Sequence, residues 1–272
     1  VFVSADVRHP SVAGKFYPRD PRVLAAEIHG YLKPAPVLLP AIGCVVPHAG
    51  YMYSGHVAGA VYSRLQPPPR CIVLCPNHTG MGKPLSIVSR GVWETPLGEV
   101  PVDHSLAQNL KDCFPLLTED GAAHRAEHAI EVQLPFLQVA QPDLVFVPIA
   151  LGTANPDVLV SLGEAIAQVL SAEPERVLIV ASSDMNHYAP DDVTRIKDAK
   201  AINRILELDA RGLYDVIMTE EISMCGFGPA MAMLTATRRL GATKAELVKY
   251  ATSGDVSLDR DAVVGYAGIV VV

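Results

Sequence analysis

The chain has 272 residues, half of them apolar and 19% charged, which is enough for a sizeable core and argues against extended disorder. Its 22 basic and 29 acidic residues leave a net charge of −7. With no basic block, nucleic acid and anionic membranes are not expected as partners. No apolar run is long enough to span a bilayer, and no secretory pattern interrupts the charges near the N-terminus. Five cysteines without a close-set framework (Cys44, Cys71, Cys75, Cys113, Cys225) fit a reducing compartment, so a cytoplasmic location is expected.

Apolar periodicity predicts the elements in order. A helix is expected over 21–32, with Val23, Leu24, Ile28 and Leu32 on one side. A continuous apolar run at 42–46 reads as a strand. Residues 54–65 read as a helix with Ser54 as its cap, and "LQPPPR" at 65–70 as a rigid connector. A strand follows at 71–74, with Cys71 and Cys75 on the same face. Residues 85–102 read as short antiparallel strands turning at 96–98. "HRAEHAIEVQLPFL" spaces His124 and His128, and Glu127 and Glu131, one helical turn apart, as in a solvated acidic helix start. Strands are expected at 144–149, 177–181, 247–251 and 263–272. Helices are expected at 155–170 (an Asn-Pro start), 194–208 and 226–240. Continuous rather than alternating apolar strands imply cover on both faces. The fold class is therefore α/β, a mostly parallel or mixed central sheet flanked by helices, in one domain spanning 1–272.

The residues after the strands carry the chemistry. "PHAGY" puts His48 after the first strand, "PNHTG" puts His78 after the second, and "SSDMNHY" puts Asp184 and His187 after a third. In α/β sheets ligands bind beyond the carboxyl ends of strands. If these three strands are parallel neighbours, their loops meet. Neutral imidazole binds iron, copper and zinc, so His48 and His78 are candidate ligands, although no local motif links them. "SMCGFGPA" sets Cys225 just ahead of a helix, whose N-terminus would favour the thiolate, while Gly226 and Gly228 permit a close approach. Taken singly, each histidine also reads as a satisfied loop residue, and Cys225 as a small capping residue. His128 is the member of its segment drawn toward the cleft. His9, His29, His56 and His104 read as surface or core residues.

The ordered set "VAGKFYP", "VPHAGYMYSG", "PNHTG", "TPLGEVPVD", "EHAIEVQLPFL", "SSDMNHY" and "MCGFGP" resembles the Memo family, called AmmeMemoRadiSam system protein B in prokaryotes. The resemblance implies a fold related to the class III extradiol dioxygenase catalytic subunit. It implies metal ligation by His48, His78 and Cys225, with His187 as the acid/base and Asp184 as the group that orients it. Tyr53 and His128 fall on pocket positions. The cofactor it implies is Fe(II), with copper as competitor because a thiolate is softer than the carboxylate of the dioxygenases. The same departure keeps catechol cleavage from being carried over. The family name points to radical-SAM and AMMECR1-type proteins as partners, and to a small-molecule or peptidyl substrate. Two functions are compatible with these residues: an oxygen-activating or redox enzyme, and a metal- or peptide-binding module without turnover.

Overall fold

The computed structural model describes residues 7–35 and 37–272. In chain order the elements are β1 (Val7–Arg8), α1 (Pro21–Tyr31), β2 (Gly43–Val46), α2 (Tyr51–Tyr62), β3 (Arg70–Pro76), β4 (Leu85–Ile87), β5 (Val92–Thr95), β6 (Gly98–Pro101), α3 (His104–Cys113) and β7 (Thr118–Glu119). A 3-10 turn (Glu131–Gln133) leads into α4 (Leu134–Ala140). Then come β8 (Val145–Leu151), α5 (Pro156–Ala172), β9 (Leu178–Ser182), β10 (His187–Ala189), α6 (Asp191–Leu206), α7 (Ala210–Thr219), α8 (Phe227–Arg239), β11 (Ala245–Thr252), α9 (Gly254–Ser257) and β12 (Val263–Val271).

Four parallel strands form the middle of the main sheet in the order β2, β9, β3, β8. Antiparallel strands flank them: β12 beside β2, then β11 and β10 on β12, and β4 beside β8. The architecture is therefore mixed α/β with helices on both faces. The parallel strands are buried along nearly their whole length, and the period of two sorts their side chains. Ile72 and Leu74 of β3 pack with α3, α5 and α8, whereas Cys71, Val73 and Cys75 pack with α1, α2 and α4. This is why the apolar runs are continuous. It also makes Cys71 and Cys75 buried neighbours on one face, as expected. All five cysteines are free thiols.

Several boundaries differ from the sequence reading. Helix α2 starts at Tyr51 with Gly50 at its cap position, and no side chain caps it. Ser54 sits inside the first turn and donates back to the Ala49 carbonyl. Asn155 does cap α5, accepting from the amides of Asp157 and Val158. Within 85–102 the expected hairpin is β5–β6, which joins β1 in a separate three-stranded sheet, but β4 leaves it to edge the main sheet. Residues 124–130 are not helical. Glu127 and Glu131 are fully buried, so the solvated acidic helix start is corrected. Both carboxylates are instead held by hydrogen bonds, as a buried charge must be.

The topology makes one cleft. Register pairs Val46 with Ser182 and Leu74 with Ala181, so β2, β9 and β3 end side by side. His48, Asp184 and His78 each stand two residues past the end of one of them.

Candidate metal centre

His48 is 2% exposed, and its surroundings fix its tautomer. Ser182 Oγ donates to the Ala129 carbonyl at 2.7 Å, so it accepts from His48 Nδ1–H at 3.0 Å. Gln133 Nε2 donates to the same oxygen at 2.9 Å. The lone pair of His48 is therefore on Nε2, 3.2 Å from Cys225 Sγ. The backbone N–H of His48 donates to Asp184 Oδ1 at 2.8 Å.

His78 is fixed by a carboxylate. Glu127 accepts from His78 Nδ1 at 2.9 Å and from its backbone N–H at 2.6 Å. A carboxylate can only accept, so Nδ1 carries the proton and Nε2 the lone pair. His128 Nδ1 lies 3.5 Å from the same Glu127 oxygen. The three imidazoles form a ring with centroids 4.8 to 5.4 Å apart. Each offers a ligand atom, and these atoms all lie within 4.8 Å of one another.

Burial sets the protonation states, and neighbours modify them. It pushes His48 well below the ordinary imidazole range, with the other histidines adding to the shift. It lowers His128 as well. At His78 burial also opposes the charge, but the hydrogen bond and charge of Glu127 outweigh it and raise the pKa. Glu127 is correspondingly lowered: burial would raise it, and His78 more than compensates. Burial pushes Asp184 up to about 6. Cys225 departs from expectation. Burial, then the Asp184 charge, pushes its thiol up rather than down, which outweighs the start of α8. The thiol is protonated in the free protein and can donate to His48 Nε2. A metal ion would displace that proton.

Gly226 brings Cys225 close: a Cβ there would collide with Ser182 and Ser183 at the end of β9. The cleft, about 520 Å³, is lined by His48, His78, His128, Asp184, His187 and Cys225, with Phe16 and Tyr266 among its walls. Six of the seven site residues expected from the sequence thus meet. Tyr53 does not line the cleft; half-buried, it packs against the cluster of Val57, Ala251 and Tyr266.

Asp184 makes no hydrogen bond to His187; its Oδ1 accepts from the His48 amide instead. Ser223 does so instead. His187 Nδ1 donates to the Ser223 carbonyl at 2.9 Å, and the His187 amide donates to Ser223 Oγ at 2.8 Å. Tyr188 follows in the left-handed region at φ 59° and is 79% exposed at the cleft mouth. The sequence reading missed Ser182, Gln133, Glu127 and Ser223 as positioning residues. Only Glu127, adjacent to His128, carried a signal.

The loop bearing His187 rests on a buried acid. Asp198 of α6 accepts from the Asn186 amide at 2.8 Å and from the Tyr250 hydroxyl at 2.7 Å. Burial pushes it up to about 6 from 3.8. Its folded pKa is raised, so the native state holds a proton that the unfolded chain has lost. Its contribution to stability therefore falls as pH rises from about 4 to about 6 and is level above that. Asp198→Asn should remove this dependence, which is worth up to about 3 kcal/mol. Urea unfolding of both proteins at acid and neutral pH reads it as the change in their difference; an unchanged difference would contradict it.

These observations define a class first: a mixed α/β protein in which two histidines at parallel strand ends, His48 and His78, meet His128 from the loop before the 3-10 turn in a cluster able to take a metal ion. Comparison then gives the family. The chain belongs to the Memo-like proteins, whose family pattern matches residues 8–270. A MEMO1 family protein of Methanosarcina barkeri is 45% identical over 267 residues, covering 97% of this chain and 100% of that protein. One of Methanothermobacter thermautotrophicus is 40% identical over 273 residues, covering 96% and 99%. Among solved structures, an uncharacterized protein of Escherichia coli K12 superposes with a TM-score of 0.53. It shares 14% identity and covers 84% of this chain and 98% of its own, a likeness of fold alone. No helix among the described residues is long and apolar enough to cross a membrane.

Proposed function

We propose that the cleft binds one redox-active metal ion, Fe(II) by preference with copper as competitor, and that the protein is an oxygen-activating or redox enzyme of the cytoplasm. One observation carries the reading: two imidazoles whose Nδ1 atoms are engaged elsewhere, so that both Nε2 lone pairs are available in one cleft. Such second contacts are characteristic of ligating histidines. In this reading His48 and His78 hold the ion and Cys225 is the third ligand, with His128 in reach as a further donor. The ion would supply Lewis acidity and electron exchange.

The chain's own residues do the rest. His187, its Nδ1–H held by the Ser223 carbonyl, keeps Nε2 free to take a proton from a substrate in the cleft. Asp184 braces the His48 loop through its backbone. Phe16 packs on His128 with ring centroids 4.8 Å apart and walls one side. The chain works as a single domain, its substrate is a small molecule or a peptide, and radical-SAM and AMMECR1-type proteins are its partners. These last points rest on the family resemblance.

A second reading is favoured by the thiol beside His48. A soft sulfur with imidazoles suits Cu(I), and the protein would then bind or carry metal without turnover. His187→Ala separates the two. Under the enzyme reading it keeps its metal and lowers any substrate-dependent O₂ uptake by roughly 10²-fold or more. Loss of metal in this variant would make His187 a ligand and contradict the assignment. Catechols should give at most a few turnovers, because the Cys225 thiolate would be exposed to oxidation; sustained ring cleavage at roughly 1 s⁻¹ or more would restore a dioxygenase role.

A further inference from the structure

A second cavity, about 880 Å³, is larger than the cleft and shares no lining residue with it. The two lie on either side of one chain segment: His124 and Arg125 line the second cavity, and His128 lines the cleft. Its volume is in the range of small-molecule sites.

The hydrogen-bonding capacity of its walls is unevenly used. Glu119 accepts from the Ser89 amide, the Ser89 hydroxyl and Lys111. Asp120 accepts from the amides of Ala122 and Lys83. Arg8 is engaged with Glu131 and the carbonyls of His124 and Glu127, and lies 4.3 Å over the Trp93 ring. Both carboxylates are thus engaged by this chain's own donors. Arg90 and Arg125 are exposed and have no ion-pair or hydrogen-bond partner among the described residues. His124 is 1% exposed, and neither ring nitrogen makes a well-formed hydrogen bond, although the Ser86 backbone lies near enough to favour its charged form. A buried imidazole so weakly satisfied calls for an explanation such as water or a ligand.

We infer that this cavity is a second ligand site, for a small organic anion. Arg90 and Arg125 grip its carboxylate or phosphate, and its apolar body lies against Val7 and Val88. The choice of an anion follows from the unengaged groups at the rim, which are guanidinium donors. Planar guanidinium matches carboxylate and phosphate oxygens in pairs. The apolar wall disfavours a bare inorganic ion as the complete ligand. This inference is independent of the metal reading, because it uses none of the cleft residues.

The test is calorimetric titration of the full chain with phenyl phosphate, benzoate and the neutral benzyl alcohol at one salt concentration. At least one anion should bind saturably and the alcohol should not. The stronger of the two anions identifies phosphate or carboxylate as the natural group. The double variant Arg90→Ala/Arg125→Ala should weaken anion binding by roughly tenfold or more, and His48→Ala should leave it unchanged. Both arginines are exposed, so the double variant should keep its fold, which its thermal unfolding would confirm. Four results would overturn the inference: no binding of either anion, equal binding of the alcohol, unchanged affinity in the folded double variant, or loss of binding in His48→Ala.

Discussion

Glu131→Ala should lower the stability of the protein by about 3–5 kcal/mol, the range for removing one partner of a buried ion pair. Glu131 is fully buried. One oxygen accepts from Arg8 Nη1, the Ser11 amide and the Ser11 hydroxyl; the other accepts from the Val12 amide and the Tyr17 hydroxyl. Alanine would leave these donors unmatched and the Arg8 charge uncompensated. The damage would spread to function, because the same segment carries Phe16, whose carbonyl accepts from the Tyr51 amide at the start of α2. The pH dependence has a definite sign. Burial would raise the Glu131 pKa, but the Arg8 charge and the hydrogen bonds hold it below 4.5. A depressed carboxyl contributes stability above its unfolded value and loses it as pH falls through the folded one. Urea unfolding at neutral pH should show the full loss, and acid should shrink it. A loss under about 1 kcal/mol would mean that the segment is anchored elsewhere.

Glu131 also marks where sequence reading stopped. The parallel strands and most of the long helices were legible because continuous apolar runs and 3.6-residue periods are local signals. The convergence of His48, His78 and Asp184 was legible as a conditional, since strand ends were visible and strand order was not. Once β2, β9 and β3 prove to be adjacent and parallel, the cleft follows. Residues 124–131 misled for a physical reason. Spacing of four suggests a helix face, but the partners of these side chains are distant in sequence: Arg8, Ser11 and Tyr17 for Glu131, and His78 for Glu127. Local pattern does not carry such pairings. The same holds for the Cys225 thiol, where a helix start argued for a low pKa and tertiary burial reversed it. Helix α3 was missed although Asp103 caps it and Leu106, Ala107 and Leu110 form its buried face; only ten residues long, its pattern is short.

His78→Ala should bring metal occupancy close to zero, and Glu127→Gln should weaken metal affinity by roughly 10–100-fold, the usual effect of losing a carboxylate behind a ligating imidazole. The carboxylate holds the Nδ1 proton and so leaves Nε2 as the donor. A glutamine could present its amide nitrogen to His78 and turn the ring's protonation around. His78→Ala removes the donor itself, and the remaining groups would need to rearrange to replace it. Full occupancy in His78→Ala would show that this ring is not a ligand.

The ligand set is tested most directly by anaerobic metal titration of the wild type, His48→Ala, His78→Ala, Cys225→Ser and His128→Ala, with metal bound per chain and X-ray absorption at the metal edge read together. The wild type should bind about one ion per chain, with nitrogen and sulfur among its ligand atoms. Both the His48 and His78 variants should lose the ion. In Cys225→Ser the sulfur contribution should disappear and the preference for copper should fall, while His128→Ala should retain the ion. An all-nitrogen shell in the wild type, with metal kept in Cys225→Ser and lost in His128→Ala, would contradict this ligand set and assign the site to the three histidines.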